Sequence, residues 1–434
     1  MNVKNTLRIT VLLTSVCFVS PLFADSIQVN YGQGTYERVS SHSESMANST
    51  LAMDGYFDSW LENPAMISRS GFGLLLPSLT LSIHQPSTLF ADEDNNGKYD
   101  LSEAYGSSGS ERKNAIDEVI SPLFDGTSSD ILTAQTTLGI KGRNLATAFE
   151  LQQKLYTDAF FSQGSQSDLF GVTTAVGTMG YGFYLIPDFM QVGVSARAIY
   201  TIVSTGISYD TVLDYVSDNN HDDIEERTLM GTPVAYGYAF PFSIGANVMP
   251  FSGFTVSAVA NNIHGKYTYK LADSYQTVYD EWTPDDTMFA EDSSYYHRSI
   301  SSNEITYTPD IGLDLGASWD LTSVYKDLHP LFTLEVEDVL GYTYDEDEGL
   351  IQKETDYYSA ENIMKRITLG AQIEVLKVIQ LRGGVAENYW SAGGGIDVFS
   401  LLHLDVAYTS DGRYEEYGID PEDSLTVKFS LISK

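Results

Sequence analysis

Hydrophobic and polar residues alternate along most of this chain. In VGVSARAIY, residues 192–200, the apolar side chains alternate with Gly193, Ser195 and Arg197. The same period of two recurs in residues 332–337, 366–374, 402–408 and 424–431. Successive side chains of a β-strand point to opposite faces, so each of these segments has one apolar and one polar face. The pattern predicts an all-β fold.

A soluble sandwich and a membrane barrel both produce this alternation, and two features favour the barrel. The polar faces include many glycines and charges of both signs, which suits a barrel lumen. Short links also alternate with long polar ones, as in barrels with short periplasmic turns and long outer loops. The short links lie at 142–144, 186–188, 250–253, 321–328, 376–378 and 398–401. We predict a transmembrane antiparallel β-barrel of about 14 strands, with both termini on the periplasmic side.

The strands and loops of this barrel can be placed along the chain. The predicted strands span residues 71–85, 131–143, 145–162, 169–187, 188–206, 232–250, 252–272, 304–321, 329–344, 362–375, 376–388, 389–398, 400–411 and 422–433. Long outer loops are expected at 86–130, 207–231, 273–303, 345–361 and 409–423. These loops hold 37 of the 59 acidic residues, which suits either plain solvation or the recruitment of divalent cations. Residues 110–124, SERKNAIDEVISPLF, have the composition of a short helix.

The first 24 residues have the composition of a secretory signal peptide. Lys4 and Arg8 precede an apolar run that ends at Ala24, a small residue of the kind found at cleavage sites. Lipidation of Cys17 is the alternative, but Val16 is bulkier than the residue that usually precedes a lipidated cysteine. Because Cys17 is the only cysteine, the mature chain would contain no disulfide. We expect cleavage after Ala24 and a multi-pass location in the outer membrane of a diderm bacterium, with the outer-membrane assembly machinery as a partner.

The charge balance and the missing motifs exclude several functions. The chain has 24 basic and 59 acidic residues, a formal net charge of −35 that would repel the phosphates of a nucleic acid. After the signal, no segment has the ~18 consecutive apolar residues of a transmembrane helix. The sequence contains neither G-x-S-x-G nor H-E-x-x-H, and its 7 histidines show no ligand spacing. We therefore expect a protein that is not an enzyme.

One stretch has the pattern of a calcium-binding loop. Residues 92–103, DEDNNGKYDLSE, fit the template D-x-[DN]-x-[DN]-G-x5-E. The expected ligands are Asp92, Asp94, Asn96, the carbonyl of Lys98, Asp100 and Glu103. Ca²⁺ takes about six to eight oxygen ligands, and a glycine at the sixth place allows the sharp turn. The entering helix of an EF-hand is missing, so two interpretations stay open: a weak structural Ca²⁺ site and a merely acidic turn.

Both ends of the chain resemble a known family. The stretches NSTLAMDGYFDSWLENPAMISRSGFGLLLPSLTLSI and LRGGVAENYWSAGGGIDVFSLLHLDVAYTSDGRYEEYG are similar to FadL-like outer-membrane transporters, which are related to TraF-like and type IX secretion barrels. In that family a small N-terminal hatch has an Asn-Pro-Ala motif just before the first strand, and Asn63, Pro64 and Ala65 match it. An ordinary helix terminator would have the same residues, because Pro64 removes a backbone donor and favours an extended Asn63.

The resemblance implies a hatch at residues 25–70 that plugs a porin-like barrel formed by residues 71–434. It also implies capture of a hydrophobic ligand at the outer face and release through a gap in the barrel wall. Apolar residues of the hatch are expected to line a hydrophobic interior. They are Leu51, Met53, Tyr56, Phe57, Trp60 and Leu61.

The polar faces of the strands supply candidate lumen residues. Arg197, Arg366 and Arg382 are candidates for binding a ligand carboxylate through a bidentate contact. The alternative is a ladder of ion pairs that stiffens the wall, formed with Asp314, Glu335, Glu337 and Glu374.

Two functions of different classes follow. The first is passive uptake of hydrophobic small molecules such as long-chain fatty acids, a form of lipid transport with membrane lipid and a hydrophobic ligand as partners. The second is a surface-exposed interaction or adhesin barrel that displays acidic loops with bound calcium. A continuous apolar tunnel would distinguish the first from the second.

Overall fold

The computed structural model describes residues 31–54, 56, 58–69, 71–86, 110–124, 129–158, 167–217, 233–272, 274, 277–278, 304–325, 328–345, 349–352, 360–376, 378–398, 402–412 and 422–433. The signal peptide at 1–24 and the calcium-like loop at 92–103 lie outside these residues, so both assignments stay predictions.

Fourteen strands form one antiparallel sheet. They are β1 Gly73–His84, β2 Ser129–Lys141, β3 Leu145–Asp158, β4 Asp168–Ile186, β5 Met190–Ser204, β6 Val234–Ala239 with Phe242–Phe251, β7 Phe254–Ile263 with Tyr267–Ala272, β8 Ile305–Tyr307 with Leu313–Asp320, β9 Pro330–Val336, β10 Ile367–Val375, β11 Ile379–Ala386, β12 Tyr389–Val398, β13 Leu402–Asp411 and β14 Glu422–Ser433. Each strand pairs with the next along the chain, and β1 also pairs with β14, from Leu74↔Ser433 to His84↔Ser424. This last pairing closes the sheet, so the predicted 14-strand barrel is confirmed.

The observed strands match the predicted ones apart from interruptions within β6, β7 and β8 and differences around β9 and β10. The prediction of one strand at 329–344 is wrong, because β9 ends at Val336. Asp338 and Gly341 then adopt positive φ, which interrupts the extended chain. Tyr342–Asp345 pairs instead with Gly349–Gln352 as a separate hairpin. The prediction that the next strand begins at 362 is also wrong, since Ala360–Lys365 is helical.

Alternation sorts the side chains of the barrel into two faces. Exposed apolar residues of the outward face include Leu79, Leu138, Phe149, Leu151, Met179, Val194, Ile244, Leu334, Leu369, Leu381, Val406 and Phe429. Buried polar residues of the inward face include Thr80, Gln135, Thr137, Glu150, Gln152, Thr174, Ser195, Asn247, Ser257, Thr333, Gln372, Thr426 and Ser430. An apolar outer band over a polar interior is the arrangement that a barrel needs in a bilayer.

The helices of the described residues are short. They are α1 Ser41–Glu44, α2 Ser59–Glu62, α3 Ser110–Ile120, α4 Tyr209–Ser217 and α5 Ala360–Lys365, with 3-10 turns at Tyr31–Gly34, Pro64–Ser68 and Ser121–Phe124. The helix expected in residues 110–124 is thus present. Helices α3 and α4 share a buried apolar cluster with Ile131, Leu155 and Leu169, at the long-loop ends of β2 to β4. In the described part of the chain, no helix combines the length and hydropathy that crossing a membrane requires.

Three consecutive strands are interrupted on one side of the barrel. The breaks fall at 240–241 in β6, 264–266 in β7 and 308–312 in β8. In β7, Asn262 and His264 adopt positive φ. Isolated hydrogen bonds replace the regular strand pairing there. The Asn261 backbone N–H donates to the Gly312 carbonyl at 2.9 Å, and the Asn262 side-chain amide donates to the Asp310 carbonyl at 3.3 Å. The wall between β7 and β8 is therefore less regular than its neighbours.

Candidate functional site: the interior of the barrel

The described residues among 31–69, which precede β1, lie against the inward faces of strands from all around the barrel. We call them the N-terminal segment. Direct hydrogen bonds join Gln152 of β3 to Glu37, Arg197 of β5 to Leu61, Asn247 of β6 to Asn63, Thr255 of β7 to Arg69, Ser318 of β8 to Ala52, Glu335 of β9 to Leu51, Ser391 of β12 to Ala47, and Lys428 of β14 to Asp58. The inward polar residues thus satisfy backbone and polar groups of a segment that lies against the inner wall at this level.

The Asn-Pro-Ala motif lies at the centre of these contacts. Asn63 is fully buried, and its amide nitrogen donates to the Leu51 carbonyl at 2.9 Å and to Asn247 Oδ1 at 2.7 Å. Its Oδ1 accepts the Ala65 N–H at 3.0 Å and so caps the 3-10 turn that begins at Pro64. The backbone of Asn63 is extended and ends α2, as a residue before proline should. The motif terminates a helix and also ties two parts of the segment to the wall.

Inward-facing glycines let the backbone of the segment approach the wall. A Cβ at Gly193 of β5 would come within 2.2 Å of the Pro64 carbonyl oxygen, and one at Gly245 of β6 within 2.4 Å of Asn63 Oδ1. On the opposite side, a Cβ at Gly384 of β11 would lie 2.3 Å from the Met46 carbonyl carbon. Any larger residue would collide at these places, so only glycine leaves room for the backbone of the segment.

A buried ionic cluster fastens the segment to β3 and β14. Asp58 accepts from Lys428 Nζ at 2.7 Å and also pairs with Arg38. Arg38 further contacts Glu150 at 3.1 Å and Glu62 at 3.3 Å. Burial alone would raise the pKa of Asp58, yet the Lys428 ammonium and the Arg38 guanidinium hold that pKa well below its usual range. Asp58 is therefore ionised at any pH at which the barrel would work.

Of the apolar hatch residues named from the sequence, Leu51, Met53, Trp60 and Leu61 are buried and Tyr56 is partly buried, and most of these pack against other side chains. Trp60 and Leu61 cluster with Met66, Ile67 and inward alanines of β3. Met53 packs with Met46, Leu331 and Tyr56. Phe57 lies outside the described residues. Only Leu51 and Leu61 of this set border a described cavity.

A different set of residues forms an apolar surface inside the barrel, which the sequence analysis did not identify. It lies on β3 to β7 toward the long-loop end, and we call it the aromatic recess: Tyr156, Phe170, Val172, Val176, Ile199, Val203, Ala235, Ala239, Tyr267 and Tyr269. The N-terminal segment covers it. Tyr36 packs into the recess, and the Tyr31 ring lies 5.1 Å from that of Tyr269. The available signal was the inward parity of aromatic pairs such as Tyr267 and Tyr269.

A polar cavity of about 670 Å³ adjoins the recess. Its wall includes Leu51 and Leu61 of the segment and Asn261 and Asn262 at the interruption of β7. Its acidic residues are Glu37, Glu44, Glu62, Asp130, Asp314, Glu335, Glu337 and Asp338, and its basic residues are Arg38, Lys154 and Arg197. Burial, with Glu37 nearby, raises the pKa of Glu44 to about 7. The cavity thus holds more acid than base.

The structure does not bring the three candidate arginines together. Arg197 borders the polar cavity and donates to the Leu61 carbonyl at 3.3 Å. Arg366, just before β10, donates to the Asp338 carbonyl at 2.6 Å. Arg382 of β11 has a fully buried side chain and pairs at 2.6 Å with Asp405 of β13, an acid outside the expected ladder. Capture of a ligand carboxylate by any of them stays a prediction.

Metal binding likewise stays a prediction. The proposed ligands Asp92, Asp94, Asn96, Lys98, Asp100 and Glu103 all lie outside the described residues. Within the residues that are described, no group of three or more His, Cys, Asp or Glu side chains is arranged to hold a metal ion.

No family model and no curated protein matches the sequence. The folded chain is similar to hydrocarbon channels and to a FadL homologue. The monoaromatic hydrocarbon channel CymD is 12% identical, with 90% of this chain and 96% of that chain covered and a TM-score of 0.47.

Two other solved structures give comparable values. The Pseudomonas putida toluene transporter TodX is 9% identical, with coverage of 92% and 98% and a TM-score of 0.46. A Pseudomonas aeruginosa FadL homologue is 12% identical, with coverage of 90% and 97% and a TM-score of 0.45. The similar structures thus include the family that the two ends of the sequence resemble.

Proposed function

We propose that this protein is an outer-membrane channel for the passive uptake of hydrophobic small molecules, with the aromatic recess as the site where the cargo lodges. The observation that carries the proposal is the recess itself. Polar residues line the lumen of a water-filled barrel, whereas here ten inward side chains of adjacent strands form one apolar and aromatic surface. A concave apolar surface beside a few polar groups is the usual form of a site for a hydrophobic ligand.

Two further features support a channel in a membrane. The outward band of apolar side chains suits a surrounding bilayer. A barrel of 14 strands is also wider than the roughly eight-strand barrel whose own side chains fill it. In the proposal the N-terminal segment occupies that extra space and acts as a hatch. The contacts of Tyr31 and Tyr36 with the recess must then break before cargo can occupy the recess.

Uptake by cells that make the barrel tests the proposal, over a panel of fatty acids and hydrocarbons. The informative variant is Ala239→Trp, because Ala239 is buried in the recess and a large side chain there would fill it. The matched control is Tyr238→Trp, since Tyr238 is the preceding residue and is exposed on the outward face. We expect Ala239→Trp to reduce uptake severalfold and Tyr238→Trp to leave it unchanged.

Equal uptake by cells with and without the barrel, across the whole panel, would overturn the transport proposal. The alternative would then be a surface interaction or adhesin barrel. Equal effects of the two tryptophan variants would remove the recess from the proposal.

A further inference from the structure

The polar cavity and the aromatic recess meet at one residue. Tyr36 packs among the recess residues and also borders the cavity. A ligand whose apolar part lodged in the recess would therefore place its polar end in or at the mouth of the cavity. The charges of the cavity then decide which polar end is accepted.

Every basic side chain of the cavity already has a partner within the protein. Arg38 contacts Asp58, Glu62 and Glu150; Lys154 contacts Asp130 at 2.8 Å and Gln33 Oε1 at 3.0 Å; Arg197 donates to the Leu61 carbonyl. Two of the three cations are thus neutralised by carboxylates. A ligand anion would have to compete with those carboxylates for its counter-charge.

Several acidic side chains of the cavity have no basic partner in the described part of the chain. Asp314 of β8 accepts from the Asn261 amide at 2.7 Å and from the Asp338 N–H at 2.9 Å. Glu335 of β9 accepts from the Leu51 N–H at 3.0 Å. Glu44 has one carboxyl oxygen that is buried and lacks a hydrogen-bond partner. These groups are acceptors that a donor or a cation on a ligand would satisfy.

From this arrangement we infer that the cargo is a hydrophobic compound with a neutral or cationic polar end, and that free fatty-acid anions are disfavoured. Asp314 and Glu335 are the residues that select against the anion. The inference rests on the proposed uptake function and names the substrate class of the same site. A cleft with a surplus of one charge sign repels ligands of that sign and concentrates the opposite one. The acidic outer loops act in the same direction, since the whole chain has a formal charge of −35.

Displacement of a neutral fluorescent probe, N-phenyl-1-naphthylamine, from the purified barrel tests the inference. The competitors are octylamine, octan-1-ol and octanoate, which share one chain and are cationic, neutral and anionic near neutral pH. We expect octylamine and octanol to displace the probe at concentrations about tenfold or more below that of octanoate. The double variant Asp314→Asn/Glu335→Gln should narrow this difference by improving displacement by octanoate.

The matched control is Asp188→Asn/Asp320→Asn, which removes the same charge at the short-turn end of the barrel, where neither residue borders the cavity. This control should leave unchanged the ratio between the concentrations of octanoate and octylamine that displace the probe. Heat-modifiable migration in SDS gels reports folding of each variant. Because the ratio in the wild-type protein is itself a test, a variant that fails to fold leaves the inference testable.

Octanoate displacing the probe at the same concentration as octylamine, or a lower one, would overturn the charge selection and leave the uptake function standing. A barrel that binds neither the probe nor any competitor would overturn the proposed function and the inference with it.

Discussion

At the scale of single residues, the interior depends on polar side chains that serve two partners at once. Asn63 is the clearest case. Its amide group joins the Leu51 carbonyl, the Asn247 side chain and the Ala65 N–H, so one residue links two parts of the N-terminal segment to β6. Buried groups that share partners in this way are costly to remove, because each deletion leaves unsatisfied atoms in the interior.

Replacing Asn63 should therefore loosen the segment. Asn63→Ala leaves the Leu51 carbonyl and Asn247 short of a donor, and we expect a loss of about 1–3 kcal/mol in the free energy of unfolding. Asn63→Asp retains the cap on Ala65 but removes both donated bonds and buries a charge, so it should destabilise at least as much. Melting temperature in detergent measures the stability of both variants. An aspartate variant as stable as the wild type would contradict the assigned bonds.

We also expect replacement of Asn63–Ala65 to impair passage of cargo more than insertion into the membrane.

Glu44 should make the stability of the barrel depend on pH. Its pKa is raised from 4.5 to about 7 in the folded protein by burial, with Glu37 adding to the effect. The folded state therefore retains the proton more strongly than the unfolded state, and stability falls as pH rises from about 4.5 through about 7, by up to about 3 kcal/mol. We expect the melting temperature of the wild type to fall more between pH 5 and pH 8 than that of Glu44→Gln.

The control for this measurement is Glu37→Gln, because Glu37 is exposed on the same segment. Its melting profile should keep most of the wild-type dependence on pH. Parallel profiles for the wild type and Glu44→Gln would show that Glu44 does not titrate in this range.

At the scale of elements, the strands provide more than a wall. Inward glycines of β5, β6 and β11 hold the backbone of the segment, while the interruptions of β7 and β8 border the polar cavity. The segment and the strands therefore fit each other at fixed places, and a change of one atom in a strand can displace the segment.

Gly193→Ala tests this fit. The added Cβ would lie 2.2 Å from the Pro64 carbonyl oxygen, so the segment must move away from β5. We expect faster cleavage of the segment by an added protease and a lower melting temperature. Gly177→Ala is the matched control, because a Cβ at Gly177 of the adjacent β4 would meet nothing within 4 Å. Equal cleavage of the two variants would mean that the segment is not seated on Gly193.

The first outer loop is a separate element with its own prediction. If residues 92–103 bind Ca²⁺, the ion should slow proteolysis between residues 86 and 130, because it relieves repulsion among the gathered carboxylates. Limited proteolysis with calcium and with a chelator measures this, and Glu103→Ala should remove the protection. Identical cleavage in all conditions would leave only an acidic turn.

At the scale of the whole molecule, closure of the barrel and filling of its lumen are separable. Among the described residues, the strand pairings that close the wall from β1 round to β14 include no residue of the segment. In the proposed function, the segment supplies the side chains that a wall of 14 strands cannot supply for its own interior.

Deleting residues 31–69 should therefore open the lumen without unfolding the barrel. We expect the variant to keep its heat-modifiable migration in SDS gels and to conduct ions in planar bilayers at a level severalfold above that of the full chain. The inward charges left behind, such as Glu150 and Lys428, would line a wet pore. A folded variant that conducts no more than the full chain would mean that other residues block the lumen.

The sequence by itself determined the class and most of the strands. Alternation with a period of two is a local property, because it reflects which face each side chain takes, and it placed the ends of most strands within a few residues. The end of β9 at Val336 was missed, since the positive φ values of Asp338 and Gly341 leave little trace in the polar pattern around them. The interruptions of β6, β7 and β8 were missed as well. The extended backbone of Asn63 before Pro64 was also within reach of local reasoning, because proline restricts the backbone of the residue before it.

The tertiary structure decided what the inward residues do to one another. Parity shows that Arg382, Lys428 and Glu335 face the lumen, yet their partners Asp405, Asp58 and Leu51 lie on distant parts of the chain. The aromatic recess and the acid surplus of the cavity have the same origin, because each gathers residues from several strands and the segment. Closure of the barrel brings those residues together across the lumen, and a sequence pattern carries no information about distances across a space that exists only once the sheet has closed.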